Sequence, residues 1–376
     1  MKLKNWLSSI CLGASLAALA AGPANARDIK LGEGLPPAHP VHHGLEVFAK
    51  TVKEKSAGEL DVKIYPQALL NLSQMFAGVR DGVVDMGYVL PPLFPSELPE
   101  VQLPIDLAML GSNGYAMAGA MTEYNLSCQE CLGARLKNNQ VYLGSASTDT
   151  YLILSTKKIT TLDELKGKKL RSAAGPWARW ANHFGAVAVS MTANEVFEAI
   201  SQGTVDGTMV TPTELASMRL IDLVKHITTS VPSGTYHGQD IHNMNRNTWR
   251  SLSEAQRRMV LDASAMSAAA ATWRFVTDAS RSMGDAQKKG IQVHQPAPDL
   301  LARSKAYIES DLATVAQTAE KNHGIKDASQ KVARFRALVE KWERLTPMTG
   351  NWDTNSLAEV YRREIFSKID AKTYGM

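Results

Sequence analysis

Leu60-Asp61-Val62-Lys63-Ile64-Tyr65 places apolar residues at every second position, the pattern of a strand with one buried face. Upstream, Val41–Lys55 sets Leu45, Val47, Phe48 and Val52 along one side of a helix that Gly58 stops, and Asp28–Leu35 reads as a strand. Downstream, Leu72–Arg80 reads as a helix ended by Asp81-Gly82, and Val83–Val89 as a third strand. This βαβαβ order predicts an α/β fold with a mainly parallel sheet and helices on its faces.

The pattern resumes further on. Tyr151–Ser155, Lys168–Ser172, Ala186–Val189 and Asp206–Val210 read as strands, with helices over Trp177–Phe184 and Ala193–Gln202. Phe76-Ala77-Gly78-Val79-Arg80-Asp81-Gly82-Val83-Val84-Asp85 is echoed by Phe197-Glu198-Ala199-Ile200-Ser201-Gln202-Gly203-Thr204-Val205-Asp206. Each is a helix end, a Gly suited to a left-handed cap, and an Asp that opens a strand. Two such units imply two lobes of similar build. Ser253-Glu254-Ala255-Gln256 fits a capping box. The helix it starts runs to about Lys289, long enough at about 45 Å to lie along both lobes. Beyond it come a short strand, Gly290–His294, and helices over Asp299–Lys321, Ser329–Leu345 and Asn355–Ile369.

Residues 1–26 carry a different message. Lys2 and Lys4 precede an apolar run from Trp6 to about Ala21, and Ala24-Asn25-Ala26 supplies a small-x-small cleavage pattern. This reads as a cleaved secretory signal, with the run too short and too rich in Ala, Ser and Gly for a membrane anchor. Cys11 lies inside the run, a poor position for a lipid-anchored Cys. The expected mature chain begins near Arg27, outside the cytoplasm. Without Lys2 and Lys4 the formal charge of +4 falls to +2, and no basic block remains, which argues against a nucleic-acid partner.

Cys128 and Cys131 remain after processing, in Cys-Gln-Glu-Cys, and an oxidising compartment lets them pair. A structural staple is the preferred reading over a redox pair, because the motif does not sit between a strand and a helix. His39, His42 and His43 cluster around Pro40, which disrupts the i,i+4 spacing a metal site would use. A strand-to-helix loop, with His39 facing a cleft, is preferred, and neither metal nor other cofactor is expected. No Gly-x-Ser-x-Gly elbow, His-Glu-x-x-His or phosphate loop occurs, and no enzyme activity is expected.

Thr161-Leu162-Asp163-Glu164-Leu165-Lys166-Gly167-Lys168-Lys169-Leu170-Arg171 leads from a short helix through Gly167 into a strand, with Trp177 and Trp180 following. Ligands of open α/β folds sit beyond the carboxyl ends of strands. Arg171 lies near such an end, and its planar guanidinium suits a carboxylate. A surface Arg beside Lys168 and Lys169 is the plainer reading of these residues alone.

The chain resembles the solute-binding proteins of TRAP transporters, the DctP-type family. The resemblance rests on Phe48–Gly58 leading into Leu60–Tyr65, then Val79-Arg80-Asp81-Gly82-Val83-Val84-Asp85-Met86, then Leu162–Arg171 and Glu195–Gly207. Asn245-Arg246-Asn247-Thr248-Trp249-Arg250-Ser251-Leu252 completes it, and these stretches keep the family order across nearly the whole mature chain. The resemblance implies a two-lobed, periplasmic-binding-protein-like fold with crossing strands and a long helix shared by both lobes. The expected division is a signal peptide at 1–26, a first lobe of 27–149 with about 240–275, and a second of 150–239 with about 276–376. A small carboxylate is held in the cleft by an Arg placed as Arg171 is, and the membrane subunits of a TRAP transporter receive it from a monomer. Some relatives carry a second Arg where this chain has Tyr151, and Asn-Pro where it has Thr211-Pro212. With one Arg, and with Tyr151, Trp177 and Tyr88 as walls, the expected ligand is a monoacid with an apolar or ring-bearing body. Thr211 is counted among the lining residues, and Trp180, three positions beyond Trp177, is assigned to the core. A binding protein of another importer or sensor, a secreted α/β enzyme and a redox protein are the alternatives.

Overall fold

The computed structural model describes residues 26–376; the expected signal segment lies outside them except for Ala26. Among these residues the strands are Arg27–Glu33 (β1), Leu60–Pro66 (β2), Met86–Val89 (β3), Gln140–Val141 (β4), Ser145–Ala146 (β5), Thr150–Ser155 (β6), Lys169–Ser172 (β7), Val187–Ser190 (β8), Gly207–Val210 (β9), His226–Thr235 (β10), Gln239–Asn245 (β11) and Gln292–His294 (β12). They form two sheets, in the orders β2-β1-β3-β11-β4 with β5 beside β11, and β12-β10-β6-β9-β7-β8.

The echoed segments take equivalent places. β1 lies parallel between β2 and β3, as β7 does between β8 and β9. Gly82 and Gly203 both adopt the left-handed conformation, at φ 76° and 70°. Asp85 Oδ2 accepts the Lys30 N–H at 2.9 Å, and Asp206 Oδ2 accepts the Lys169 N–H at 3.0 Å. Each Asp thus ties the start of its strand to the neighbouring parallel strand, one device used once per lobe.

The sheets are mixed rather than mainly parallel. β11 runs antiparallel to β3, and β6 runs antiparallel to both β9 and β10. These antiparallel strands flank the interlobe crossings, between β5 and β6 and between β10 and β11. The two crossings are bonded together: the Thr148 N–H donates to the Tyr236 carbonyl at 3.0 Å, and the Tyr236 N–H to Thr148 Oγ1 at 2.9 Å. Ser147 N–H donates to Thr272 Oγ1 of the long helix at 3.1 Å.

That helix runs over Glu254–Lys288, roughly 50 Å, and opens on the expected Ser253–Gln256 capping box. Phe275 and earlier residues pack in the first core, whereas Ala286 packs in the second, so one rod serves both lobes. The helix Pro40–Lys55 presses against it at Gly44, where a Cβ would come within 2.7 Å of the Ala271 Cβ.

The C-terminal helices depart from the expected division. Phe335, Val339 and Trp342 of Ala328–Leu345 and Leu357 and Tyr361 of Thr354–Glu364 are buried in the first core, not the second. Gly119 of the helix Gly114–Leu126 makes this docking fit, because a Cβ there would collide with the Trp342 ring. Pro298–His323 is a second spanning helix, with Leu300 in the second core and Val315 in the first. Cys128 and Cys131 form a disulfide, both buried in the first core, with Cys128 capping the helix Gln129–Lys137. No helix among the described residues is long and apolar enough to cross a membrane.

Candidate ligand-binding cleft

Between the sheets lies a cavity of about 200 Å³. Leu35, Leu72, Tyr88, Leu90, Gln239 and Phe275 line it from the first lobe and the long helix, and Tyr151, Arg171, Met191, Val210, Glu214 and Tyr236 from the second lobe and its crossing. Arg171 reaches it because β7 ends at Ser172, so the residue sits at the carboxyl end of a central parallel strand. Only 4% of Arg171 is exposed. Its Nε–H donates to the Met191 carbonyl at 3.1 Å, and its terminal amino groups have no protein acceptor among the described residues. Burial pulls its pKa down while Tyr151, Glu214 and Tyr236 oppose the change, and a guanidinium remains charged through such shifts.

Tyr151 and Tyr236 stack loosely, with centroids 6.5 Å apart, and neither hydroxyl has a protein partner among the described residues. Burial raises both phenol pKa values while the positive charge of Arg171 opposes it, so both hydroxyls stay protonated near a cation. Two O–H donors and two –NH₂ groups therefore border the cavity without protein acceptors. Tyr88 contributes its ring face, because its hydroxyl is already spent on Gln239 Oε1 at 2.8 Å.

Trp177 and Thr211 do not line the cavity. Trp177 lies flat behind Tyr151, centroids 4.2 Å apart, with its Nε1–H on the Ser233 carbonyl at 2.8 Å. It backs the wall instead of forming it. Thr211 is fully buried just past β9, its hydroxyl without a partner among the described residues. Trp180 is in the second core, donating to Ser304 Oγ at 2.7 Å.

The three histidines separate. His39 lines the cavity, its Nδ1 accepting the Val41 N–H at 3.2 Å and its Nε2 lying 3.4 Å from Glu214 Oε1. His42 Nδ1 lies 2.6 Å from Glu33 Oε2, and that contact raises its pKa; burial, then Arg274, lowers that of His43. Among the described residues no three His, Cys, Asp or Glu side chains converge on a metal site.

Glu214 and Tyr236 are cavity residues that the sequence analysis did not select. Burial raises the pKa of Glu214, but His39, Ser217 and Arg171 outweigh it and hold the carboxyl below its usual range. Thr-Glu-Leu-Ala reads as an ordinary helix start, and only the return of the chain past β9 turns Glu214 inward.

The mouth of the cleft is bridged. Asn194 Nδ2 of the second lobe donates to the Gly34 carbonyl of the first at 2.8 Å. Asn194 sits in the turn that Thr192 and Glu195 cap, directly after the Met191 carbonyl that Arg171 holds. Met191, whose carbonyl Arg171 holds, and Asn194, which bridges the lobes, are thus three residues of chain apart.

The family model DctP, bacterial extracellular solute-binding protein, family 7, matches residues 31–318. A solute-binding protein of Albidiferax ferrireducens is 24% identical over 216 residues, 57% of this chain and 63% of that relative's length. A solved marine-metagenome TRAP solute-binding protein specific for aromatic acid ligands, in complex with metahydroxyphenylacetate, superposes with a TM-score of 0.75 at 23% identity, covering 84% of this chain and 99% of that one. A TRAP periplasmic solute-binding protein of Bordetella bronchiseptica with bound mandelate superposes with a TM-score of 0.72 at 22% identity, covering 84% and 99%.

Proposed function

The chain belongs to the DctP family of bacterial extracellular solute-binding proteins, and from that premise we propose that it captures a small carboxylic acid in the cleft and delivers it to the membrane subunits of a TRAP transporter. The observation that carries this reading is Arg171: a buried cation whose terminal amino groups face a cavity with no protein acceptor among the described residues. A desolvated carboxylate placed there gains charge-assisted bonds from a forked donor, with the Tyr151 and Tyr236 hydroxyls beside it. Leu35, Leu72, Leu90, Val210 and the ring of Tyr88 suit an apolar or ring-bearing body. Aromatic acids and mandelate in similar structures support the same class. The role is that of a receptor and not of an enzyme, and the mature chain, cleaved near Ala26, works as a monomer in the periplasm.

A thermal-shift screen of benzoate, mandelate, aliphatic carboxylates and neutral sugars tests it. At a hundred times its Kd a true ligand stabilises the protein by about 2.7 kcal/mol. Stabilisation by a neutral sugar with none by any carboxylate would overturn the assignment.

Closure is open to a separate measurement. Asn194→Ala removes one hydrogen bond that exists only with the lobes together, worth about 1 kcal/mol. Affinity for the acid identified in the screen should fall about fivefold, and the radius of gyration of the liganded variant should exceed that of the parent. An unchanged affinity and radius would show that the bridge does not hold the cleft shut.

A further inference from the structure

The cavity contains a second charge of opposite sign. Glu214 follows β9, the strand that pairs in parallel with β7, so Glu214 and Arg171 emerge from adjacent strands at the same end of the second sheet. They make no ion pair with each other, and both line the cavity. Only 5% of Glu214 is exposed. Its Oε2 accepts the Ser217 hydroxyl at 2.8 Å, and its Oε1 faces His39 Nε2 at 3.4 Å. Because His39 Nδ1 accepts the Val41 N–H, the ring turns its Nε2–H toward the carboxylate as a donor. A carboxylate offers about four acceptor directions, so two partners leave capacity on the cavity side. Thr213 Oγ1 donates to the Phe275 carbonyl of the long helix at 2.9 Å, fixing the turn that presents Glu214.

Resting on the carboxylate-binding reading above, we propose that Glu214 is the specificity-determining residue of the cleft, selecting monocarboxylic acids that carry a hydroxyl or N–H donor away from the carboxylate and rejecting dicarboxylic acids. A ligand donor completes the Glu214 shell inside a closed, water-poor cavity. An analogue without that donor leaves a buried anion under-solvated, and such sites discriminate strongly against it. A second carboxylate on the ligand would be brought toward the Glu214 carboxylate, which disfavours it by like-charge repulsion. Arg171 and Glu214 thus act as opposite poles, one for the acid group and one for the donor.

Calorimetric titration of the parent and Glu214→Gln with benzoate, the three monohydroxybenzoates and isophthalate tests this. In the parent, at least one hydroxybenzoate should bind tenfold or more tighter than benzoate, and isophthalate at least tenfold weaker. In Glu214→Gln the hydroxyl preference should shrink several-fold and isophthalate should gain, because the amide carries no charge and can donate. The inference is overturned if the ranking is the same in both proteins. It is overturned by the parent alone, whatever the fate of the variant, if benzoate outbinds every hydroxybenzoate or isophthalate matches benzoate. Binding of none of these acids to the parent removes the ligand class named here. Benzoate binding that depends on Arg171 but a ranking indifferent to Glu214 removes this inference and leaves the carboxylate site standing.

Discussion

Arg171→Ala should lower the affinity for the captured acid about a hundredfold or more. In the closed cleft a carboxylate has surrendered its water, and only charge-assisted hydrogen bonds, about 1.5–3 kcal/mol each, offset the loss. The two terminal amino groups of Arg171 can supply a pair of them, since among the described residues only its Nε–H is engaged, with Met191. Two bonds at the lower figure come to about 3 kcal/mol, a factor of more than a hundred in Kd. Arg171→Lys should fall between, because an ammonium keeps the charge but not the planar fork. It also drops the hold on the Met191 carbonyl, next to the turn that carries Asn194. The measurement is calorimetric titration with benzoate or the acid found in the screen, with unfolding of the ligand-free proteins as the control for fold. Parent-like affinity in Arg171→Ala would dismiss the anchor and the carboxylate with it.

How far the site can be read from the chain differs residue by residue. Arg171 is legible because the Gly167 break and the strand after it place it at a carboxyl end, and the family resemblance points to the same position. Tyr151 and Tyr88 are legible as aromatics at strand ends. Trp177 is not separable from them by pattern: one helical turn decides whether a ring faces the cavity or backs the ring that does, and the stack on Tyr151 is a tertiary fact. Glu214 is invisible for a related reason, since an acid in the first turn of a short helix is expected to face water. The parallel strands β1, β2, β3 and β7 to β9 follow from alternation and glycine stops. β11 does not, because Gln239-Asp240-Ile241-His242-Asn243-Met244-Asn245 is polar at most positions yet buried at all seven. Gln239, Asp240 and the Asn243 amide find partners outside the strand, in Tyr88, Arg135 and Gln140, while both His242 ring nitrogens have none among the described residues, and no periodicity records either. The C-terminal helices were assignable to a lobe only by shape, through the gap at Gly119 that admits Trp342.

Arg135→Ala should destabilise the fold by about 3–5 kcal/mol, the cost of leaving one member of a buried ion pair alone. Arg135 and Asp240 are both fully buried. The guanidinium reaches the two Asp240 oxygens through bonds of 2.9 and 3.1 Å, donates to Asn125 Oδ1 at 3.0 Å, and lies 4.4 Å from the Tyr142 ring centroid. Without it, Asp240 keeps the Asn243 amide at 3.0 Å as its side-chain partner among the described residues. Asp240 follows Gln239 at the first-lobe end of a crossing, so the pair pins β11 where the lobes join. Burial already raises the Asp240 carboxyl against the pull of Arg135. Removing Arg135 raises it further, so the folded variant binds a proton at a pH where the unfolded chain does not. Stability linked to such a proton grows as pH falls toward the ordinary carboxylate range. The deficit of Arg135→Ala against the parent should therefore be largest near neutrality and shrink toward about pH 5. Urea midpoints of both proteins across that range measure it. Arg135→Met with Asp240→Leu should lose less than Arg135→Ala alone, since the double change leaves no buried charge unpaired. A deficit under about 1 kcal/mol that ignores pH would mean that water or a neighbouring side chain replaces the guanidinium at Asp240.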